Sequence, residues 1–243
     1  MKIKHRLITL KELLHSFAFR DVRVLIAAFI LVSASWIFIA IADEVTEGTT
    51  QNFDEWVLKA VRDARNTEIP RGPEWFPESV RDITALGSGM VLALITLSVA
   101  GFLVLRKDYK LLLLLLFAVI GGALLDTALK DFFARERPSV VLKLMPATSF
   151  SFPSGHSMMS MVVYLSLGSL ISRIQTRRRV KIYIISLALF FSLIIGLSRI
   201  YLGVHYPTDV LAGWSMGLAW ATLVWFVAWY IQRRSDKAET VSE

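Results

Sequence analysis

Six residues able to hold or move charge stand at the ends of apolar runs. Lys130 and Arg137 follow one run, and Pro153-Ser154-Gly155-His156 leads into the next. Ser198, Arg199 and His205 follow a third, and Asp209 opens the last. Three fixed cations, two imidazoles and one carboxylate are the equipment of an oxyanion site. His205 and Asp209 are four apart, with Pro207 between them near the start of a helix. A carboxylate there can accept the proton of one ring nitrogen and leave the other as nucleophile or base. Arg199 offers a planar fork suited to phosphate. Ser154-Gly155-His156 sits where a helix begins: Ser can cap it, Gly lets the backbone approach a ligand, and the free N–H groups attract anions. Lys130 and Arg137 are two helical turns apart, so a helix continuing past the run puts both on one face until Pro138 discourages it. Asp126, one turn before Lys130, is spaced to pair with its ammonium. Each feature alone has a plainer reading as an interfacial cation, an ordinary cap or a histidine beside a capping aspartate. Their coincidence at one set of helix ends does not.

The elements that must position these residues are hydrophobic. The 243 residues are 55% hydrophobic and only 19% charged, and the mean hydropathy is +0.55, above the range of ordinary soluble domains. Cysteine is absent, which excludes disulfides, thiolate metal sites and cysteine nucleophiles. Six runs approach the roughly 20 apolar residues needed to cross a bilayer: Val24–Ala42, Gly89–Leu105, Leu111–Leu129, Ser157–Ser172, Ile182–Leu197 and Val210–Ile231. Each is continuous rather than alternating, so helices are expected. The expectation is an all-α integral membrane bundle of six transmembrane helices over residues 24–231, with an arm over 1–23 and a tail over 232–243. The basic stretch before the first run resembles a signal peptide, but it is too long and lacks a clear small-residue cleavage site, so a retained helix is expected.

Most of the 27 basic residues fall on one side of that bundle. They lie in the N-terminal arm, beside Arg106, around Arg177–Lys181 and after Arg233. Positive charge marks the cytoplasmic face, so both termini are expected inside and the charged cluster outside. The net charge of +7 then needs no nucleic-acid partner. The long outward loop Asp43–Ser88 has Phe53, Trp56, Val57, Ala60, Val61 and Ala64 at helical spacing. That pattern fits a short helix in the bilayer interface, with a soluble cap as the alternative.

Taken together, Lys130-x6-Arg137-Pro138, Pro153-Ser154-Gly155-His156 and Ser198-Arg199-x5-His205-x3-Asp209 resemble the three-part signature of the type 2 phosphatidic acid phosphatase superfamily, with no departure at a signature position. The resemblance is anchored in Lys130–Asp209 and does not cover the tails or the Asp43–Ser88 loop. It implies hydrolysis of a lipid phosphate or diphosphate, with His205 as nucleophile forming a phosphohistidine, Asp209 orienting it and His156 as general acid and base. It implies that Lys130, Arg137, Ser154, Gly155 and Arg199 bind the phosphate. No metal or other cofactor is expected, because three cations already supply the charge and no carboxylate cluster suits Mg²⁺. The expected partners are the bilayer and a lipid phosphate such as phosphatidate, phosphatidylglycerol phosphate or undecaprenyl diphosphate. The Phe53–Ala64 helix is a candidate rim or gate for sideways entry. Absence of cysteine and of an evident targeting segment fits a bacterial inner membrane. Rival readings are a phosphotransferase on the same scaffold, a haloperoxidase sharing the signature, and a transport or lipid-binding bundle; a transporter is disfavoured because no halves repeat.

Overall fold

A computed structural model describes residues 10–241, with side chains for residues 22–231. Among the described residues the fold is helical, with one isolated bridge between Arg62 and Pro70. In chain order the helices are α1 (Leu10–Glu47), α2 (Gln51–Ala60), α3 (Phe76–Ala85), α4 (Gly89–Leu105), α5 (Tyr109–Phe133), α6 (Gly155–Arg173), α7 (Arg178–Tyr201) and α8 (Pro207–Val241).

Among the described residues, four stretches are long and apolar enough to cross a membrane: Val22–Glu47, Tyr109–Phe133, Arg178–Tyr201 and Pro207–Ile231. A fifth forms if α3 and α4, bent by 42°, are taken as one span. The expected span Ser157–Ser172 lies inside α6, which does not meet the same test. Its serines explain why. Ser157, Ser160, Ser166, Ser169 and Ser172 dilute its hydropathy, and α6 is wrapped by α5, α7 and α8. Ser157 and Ser160 are fully buried, with the Ser160 hydroxyl donating to the Ser157 carbonyl. A helix packed on several sides need not be apolar all round. Helices α1 and α8 overrun the apolar runs, reaching into the segments expected as arm and tail, because backbone bonding does not stop where the hydrocarbon does.

Small residues let the central helices meet closely. A Cβ at Gly213 would lie 2.6 Å from the Ser154 carbonyl oxygen, and one at Gly217 would lie 2.6 Å from that of Met158. These glycines, four apart on α8, form the small-residue stripe on which α6 sits. The contact brings the first turns of α6 and α8 together, and the Ser154 N–H donates to the Asp209 carbonyl at 2.9 Å. Tryptophans tie the outer helices to α8: Trp214 Nε1 donates to Ser192 O on α7 at 3.0 Å, and Trp220 Nε1 donates to Ala118 O on α5 at 2.9 Å.

The loop between α1 and α4 is a roof over one end of the bundle. Leu58 packs with Val141 and Tyr206, and Val80 packs with Leu202 and Val204. Arg62, fully buried, donates to Tyr201 O at 2.8 Å and Leu142 O at 3.2 Å. The expected helix over Phe53–Ala64 stops at Ala60, and the chain after it turns into the bridge with Pro70. One face packs on the protein, as the cap alternative requires. Asp54 and Leu58 face the protein, whereas Phe53 and Trp56 stay exposed. The apolar stripe seen in the sequence therefore points away from the bundle.

Candidate active site

Under this roof, where α5 and α7 end and α6 and α8 begin, lies a cavity of about 1030 Å³ lined by Lys130, Arg137, Gly155, His156, Arg199 and His205, among others. Five of the six charge-bearing residues singled out in the sequence share this one space, and the sixth, Asp209, lies fully buried behind His205.

Lys130 stands in the last turn of α5, its ammonium 2.6 and 2.5 Å from the two oxygens of Asp126, as the four-residue spacing anticipated. Gly155 leaves room for that pair: a Cβ there would lie 2.6 Å from Lys130 Nζ and 2.9 Å from Asp126 Oδ2. Arg137 does not arrive on a continued helix. Ala134, at φ 44°, caps α5 in the left-handed conformation with its N–H on the Lys130 carbonyl, and residues 135–138 leave in non-helical conformation. The shared-face expectation is thus corrected, although both cations reach the cavity. The Arg137 guanidinium donates to Ser149 O at 2.7 Å and Val204 O at 2.8 Å, and its Nη1 lies 3.1 Å from His205 Nε2.

His205 follows a turn at Gly203, whose φ is +72°. Only 2% exposed, its ring has a different partner at each nitrogen. A guanidinium can only donate, so Nε2 facing Arg137 must be the acceptor, and the proton belongs on Nδ1. Nδ1 faces Asp209 Oδ2 at 3.4 Å and Ser151 Oγ at 3.4 Å. Burial, reinforced by the Arg137 and Arg199 charges and only partly offset by Asp209, holds the imidazole pKa down to about 4 from its usual 6.5. The neutral ring gives its Nε2 lone pair to Arg137, whose side chain lines the cavity.

Asp209 has further partners that the sequence reading did not foresee. Its Oδ2 accepts from the Tyr206 N–H at 2.9 Å and from the Ser151 hydroxyl, and its Oδ1 pairs with Arg135 Nη1 at 2.6 Å. Arg135 also pairs with Asp54 at 2.8 Å and stacks over the Tyr206 ring at 4.3 Å. Asp54, fully buried on α2, accepts from the Thr208 N–H and hydroxyl at 3.1 and 2.6 Å, capping α8 from another helix. A chain Asp54–Arg135–Asp209–His205 therefore runs from the roof to the imidazole.

Arg199, 3% exposed, donates to Thr84 Oγ1 on α3 at 3.1 Å, while its Nε is buried with no partner among the described residues. A buried, unpaired guanidinium N–H lining a cavity suits an oxyanion. His156 faces the fixed positive charges of Arg199, Lys130 and Arg137, with the His205 ring beside it. Ser154 departs from expectation. Its hydroxyl makes no cap bond, accepts instead from Ser157 at 3.0 Å, and is not part of the cavity lining. The spacing of Arg135 could have flagged it only as one more cation beside Arg137. Asp54 and Thr84 carried no sequence signal, since both sit in the loop outside the motifs. Among the described residues, no group of three or more His, Cys, Asp or Glu is arranged to hold a metal ion.

Apolar helices enclosing a cationic, histidine-bearing chamber at one end define an integral membrane enzyme built for phosphate esters. The family model of the PAP2 superfamily matches residues 111–233, and the chain belongs to that superfamily; it is a membrane phosphatase. It is 37% identical to phosphatidylglycerophosphatase B of Bacillus subtilis (strain 168), over 77% of this chain and 89% of the relative. It is 27% identical to an undecaprenyl-diphosphatase of Sulfolobus acidocaldarius over 47% of this chain and 54% of that one. The crystal structure of a transmembrane PAP2-type phosphatidylglycerolphosphate phosphatase from Bacillus subtilis superposes with a TM-score of 0.74 at 33% identity, covering 84% of this chain and 98% of that chain. Aquifex aeolicus LpxE shares the fold, with a TM-score of 0.53 at 24% identity, over 71% of this chain and 94% of that one.

Proposed function

We propose that this protein hydrolyses the phosphate monoester of a membrane glycerolipid, phosphatidylglycerol phosphate foremost, at the outer face of a bacterial inner membrane. The observation that carries the reading is the single cavity shared by His156, His205, Lys130, Arg137 and Arg199. The same cavity continues along Leu92, Ala93, Val119, Ala123 and Met159 of α4, α5 and α6, an apolar wall suited to a lipid tail. The relative that the chain matches over most of its length supports the glycerolipid, and the shorter match to a diphosphatase makes a polyprenyl diphosphate the second substrate to try.

In this reading α1, α4, α5, α6, α7 and α8 are six spans, and α6 is the sixth because its neighbours cover its serines. The basic loops lie in the cytoplasm with both termini, which puts the cavity outside. The exposed Phe53 and Trp56 of α2 rest in the headgroup layer. Held by Asp54, α2 is a fixed rim to the entry rather than a moving gate.

The reaction follows from the ring geometry. The His205 Nε2 lone pair attacks phosphorus in line with the lipid oxygen, and the P–O bond to that oxygen breaks. His156, which takes up a proton once the phosphate dianion offsets the cations around it, gives that proton to the departing oxygen. Asp209 accepts from Nδ1–H and steadies the positive charge that develops on the ring of the phosphohistidine. Neutral His156 then takes a proton from water, whose oxygen attacks phosphorus, releasing inorganic phosphate and restoring His205. Lys130, Arg137, Arg199 and the backbone at Gly155 stabilise the equatorial oxygens, which is where most of the barrier reduction must come from. These cations supply the charge that a divalent metal contributes elsewhere, so no cofactor is required. The Ser154 hydroxyl, turned toward Ser157, is assigned to holding the start of α6.

Phosphate release from detergent-solubilised phosphatidylglycerol phosphate, phosphatidate and undecaprenyl diphosphate, in EDTA and without a lipid acceptor, tests the proposal. Release from the first, undiminished by EDTA, is expected. Phosphate appearing only when a lipid acceptor is added, or only with Mg²⁺, would overturn it.

A further inference from the structure

A second cavity lies at the opposite end of the bundle, enclosed by α1, α5, α6, α7 and α8, with a volume of about 470 Å³. Its lining shares no residue with that of the candidate active-site cavity, and from Leu115 on its wall to Lys130 α5 rises about 22 Å, although the apolar part of the upper cavity comes down α5 as far as Val119. The walls are mostly apolar, yet Arg23, Arg173 and Lys181 line it together with Ser166, Ser169 and Ser172, and among the described residues no acidic one does. Two of these groups are in an unusual condition. Arg173 Nη1 and Ser172 Oγ are buried with no hydrogen-bond partner among the described residues. Arg199 Nε is in the same condition in the cavity assigned to phosphate. Asp108, which acts on Arg173 electrostatically, accepts from the Leu111 N–H and lies outside the lining. A buried guanidinium N–H and a hydroxyl left unpaired are costly unless something accepts from them.

We propose that this cavity is a binding site for one anionic glycerophospholipid of the leaflet on that side. Its phosphodiester lies among Arg173, Lys181 and Arg23 and takes up the unpaired donors, and an acyl chain follows the apolar walls. Basic pockets between membrane helices have this chemistry for anionic headgroups. A free phosphate would use the cations but has no use for walls such as Ile30, Leu165 and Val224. The site does not depend on the reaction at His205, and a phosphodiester lipid is not a substrate for a phosphomonoesterase.

Native mass spectrometry of the purified full-length chain, titrated with phosphatidylglycerol or phosphatidylcholine, tests this. One phosphatidylglycerol should be retained in preference to phosphatidylcholine, and Arg173→Gln with Lys181→Gln should weaken it roughly thirtyfold while lipid phosphate turnover continues. Ser169→Phe, which fills the cavity without altering charge, should also reduce retention and keeps the test open if the double variant folds poorly. Equal retention of the two lipids, undiminished retention in both variants, or displacement of phosphatidylglycerol by millimolar inorganic phosphate would each overturn the proposal.

Discussion

Arg137 Nη1 lies 3.1 Å from His205 Nε2, so a cation holds the lone pair that, in the proposed reaction, has to reach phosphorus. That contact fixes the tautomer from one side while Asp209 fixes it from the other. It also implies an exchange of partners: a phosphoryl oxygen arriving between the two residues takes over the guanidinium and exposes Nε2 to phosphorus. Charge recognition and nucleophile release are then one event.

His205→Ala should lower turnover by on the order of 10⁴-fold or more and abolish an acid-labile phosphoenzyme trapped by rapid quenching of labelled substrate. A variant that still accumulated the labelled intermediate would remove the nucleophile assignment. His156→Ala should slow both formation and breakdown of the intermediate, with turnover down by about 10²–10⁴-fold, and any label that does form should decay more slowly than in the wild type.

The pH dependence follows from a His205 pKa of about 4 in the fold against 6.5 for the unperturbed side chain. The attacking ring stays neutral until pH falls through about 4, so the acid limb of kcat/KM due to His205 should lie there rather than near 6.5. Stability runs the same way. Between those values the unfolded chain binds more protons at this residue than the folded one, so this contribution to stability is lost as pH falls from about 6.5 to about 4 and is constant above. Thermal unfolding of wild type and His205→Gln across this window should show the wild type alone losing that increment.

The convergence of His156, His205, Lys130, Arg137 and Arg199 was legible because helix ends alternate between two faces, and spacing alone assigns the face. What positions them was not legible. Asp54 is 155 residues before Asp209 and sits in a loop whose only sequence pattern was an apolar stripe, and that stripe turned outward. The end of α5 was missed because nothing in the sequence marks Ala134 for a left-handed conformation. The run Ser157–Ser172 reads as a span in the sequence, but its serines leave α6 short of the apolarity of the other long helices, and the surrounding helices are what make those serines tolerable. Local periodicity reports a helix and its apolar side; the partner of a buried charge is decided by tertiary contacts.

Gly155→Ala tests how tightly the phosphate cradle is built. The new methyl would stand 2.6 Å from Lys130 Nζ and 2.9 Å from Asp126 Oδ2, so the ammonium must move. Because the change displaces the proposed phosphate ligand Lys130 without altering either histidine, kcat/KM should fall by roughly 10²-fold with the pH profile unchanged. Activity within twofold of wild type would mean that Lys130 does not contact the phosphoryl group.

The roof supplies the most distinctive prediction, since through Asp54 and Arg135 it ties α2 to the proposed catalytic histidine. Asp54→Asn keeps a side chain able to accept from Thr208 but removes one of the two carboxylates flanking Arg135. Arg135 is then drawn wholly to Asp209, which competes with the contact between Asp209 and His205 Nδ1. Partners of this kind, acting through the residue they orient, are worth about 10–100-fold. The loss should fall on kcat rather than KM, because no phosphate ligand has moved, and the acid limb should shift as His205 loses part of its carboxylate. Arg135→Lys should recover little of the activity of Arg135→Ala, since an ammonium cannot bridge two carboxylates and stack on Tyr206 at once. Asp54→Ala should unfold more readily, by about 3–5 kcal/mol, because it leaves a largely buried cation with one partner fewer. A purely structural strut would lower the unfolding temperature in all four variants while leaving kcat and the pH profile of the folded fraction at wild-type values, and that pattern would refute the positioning role.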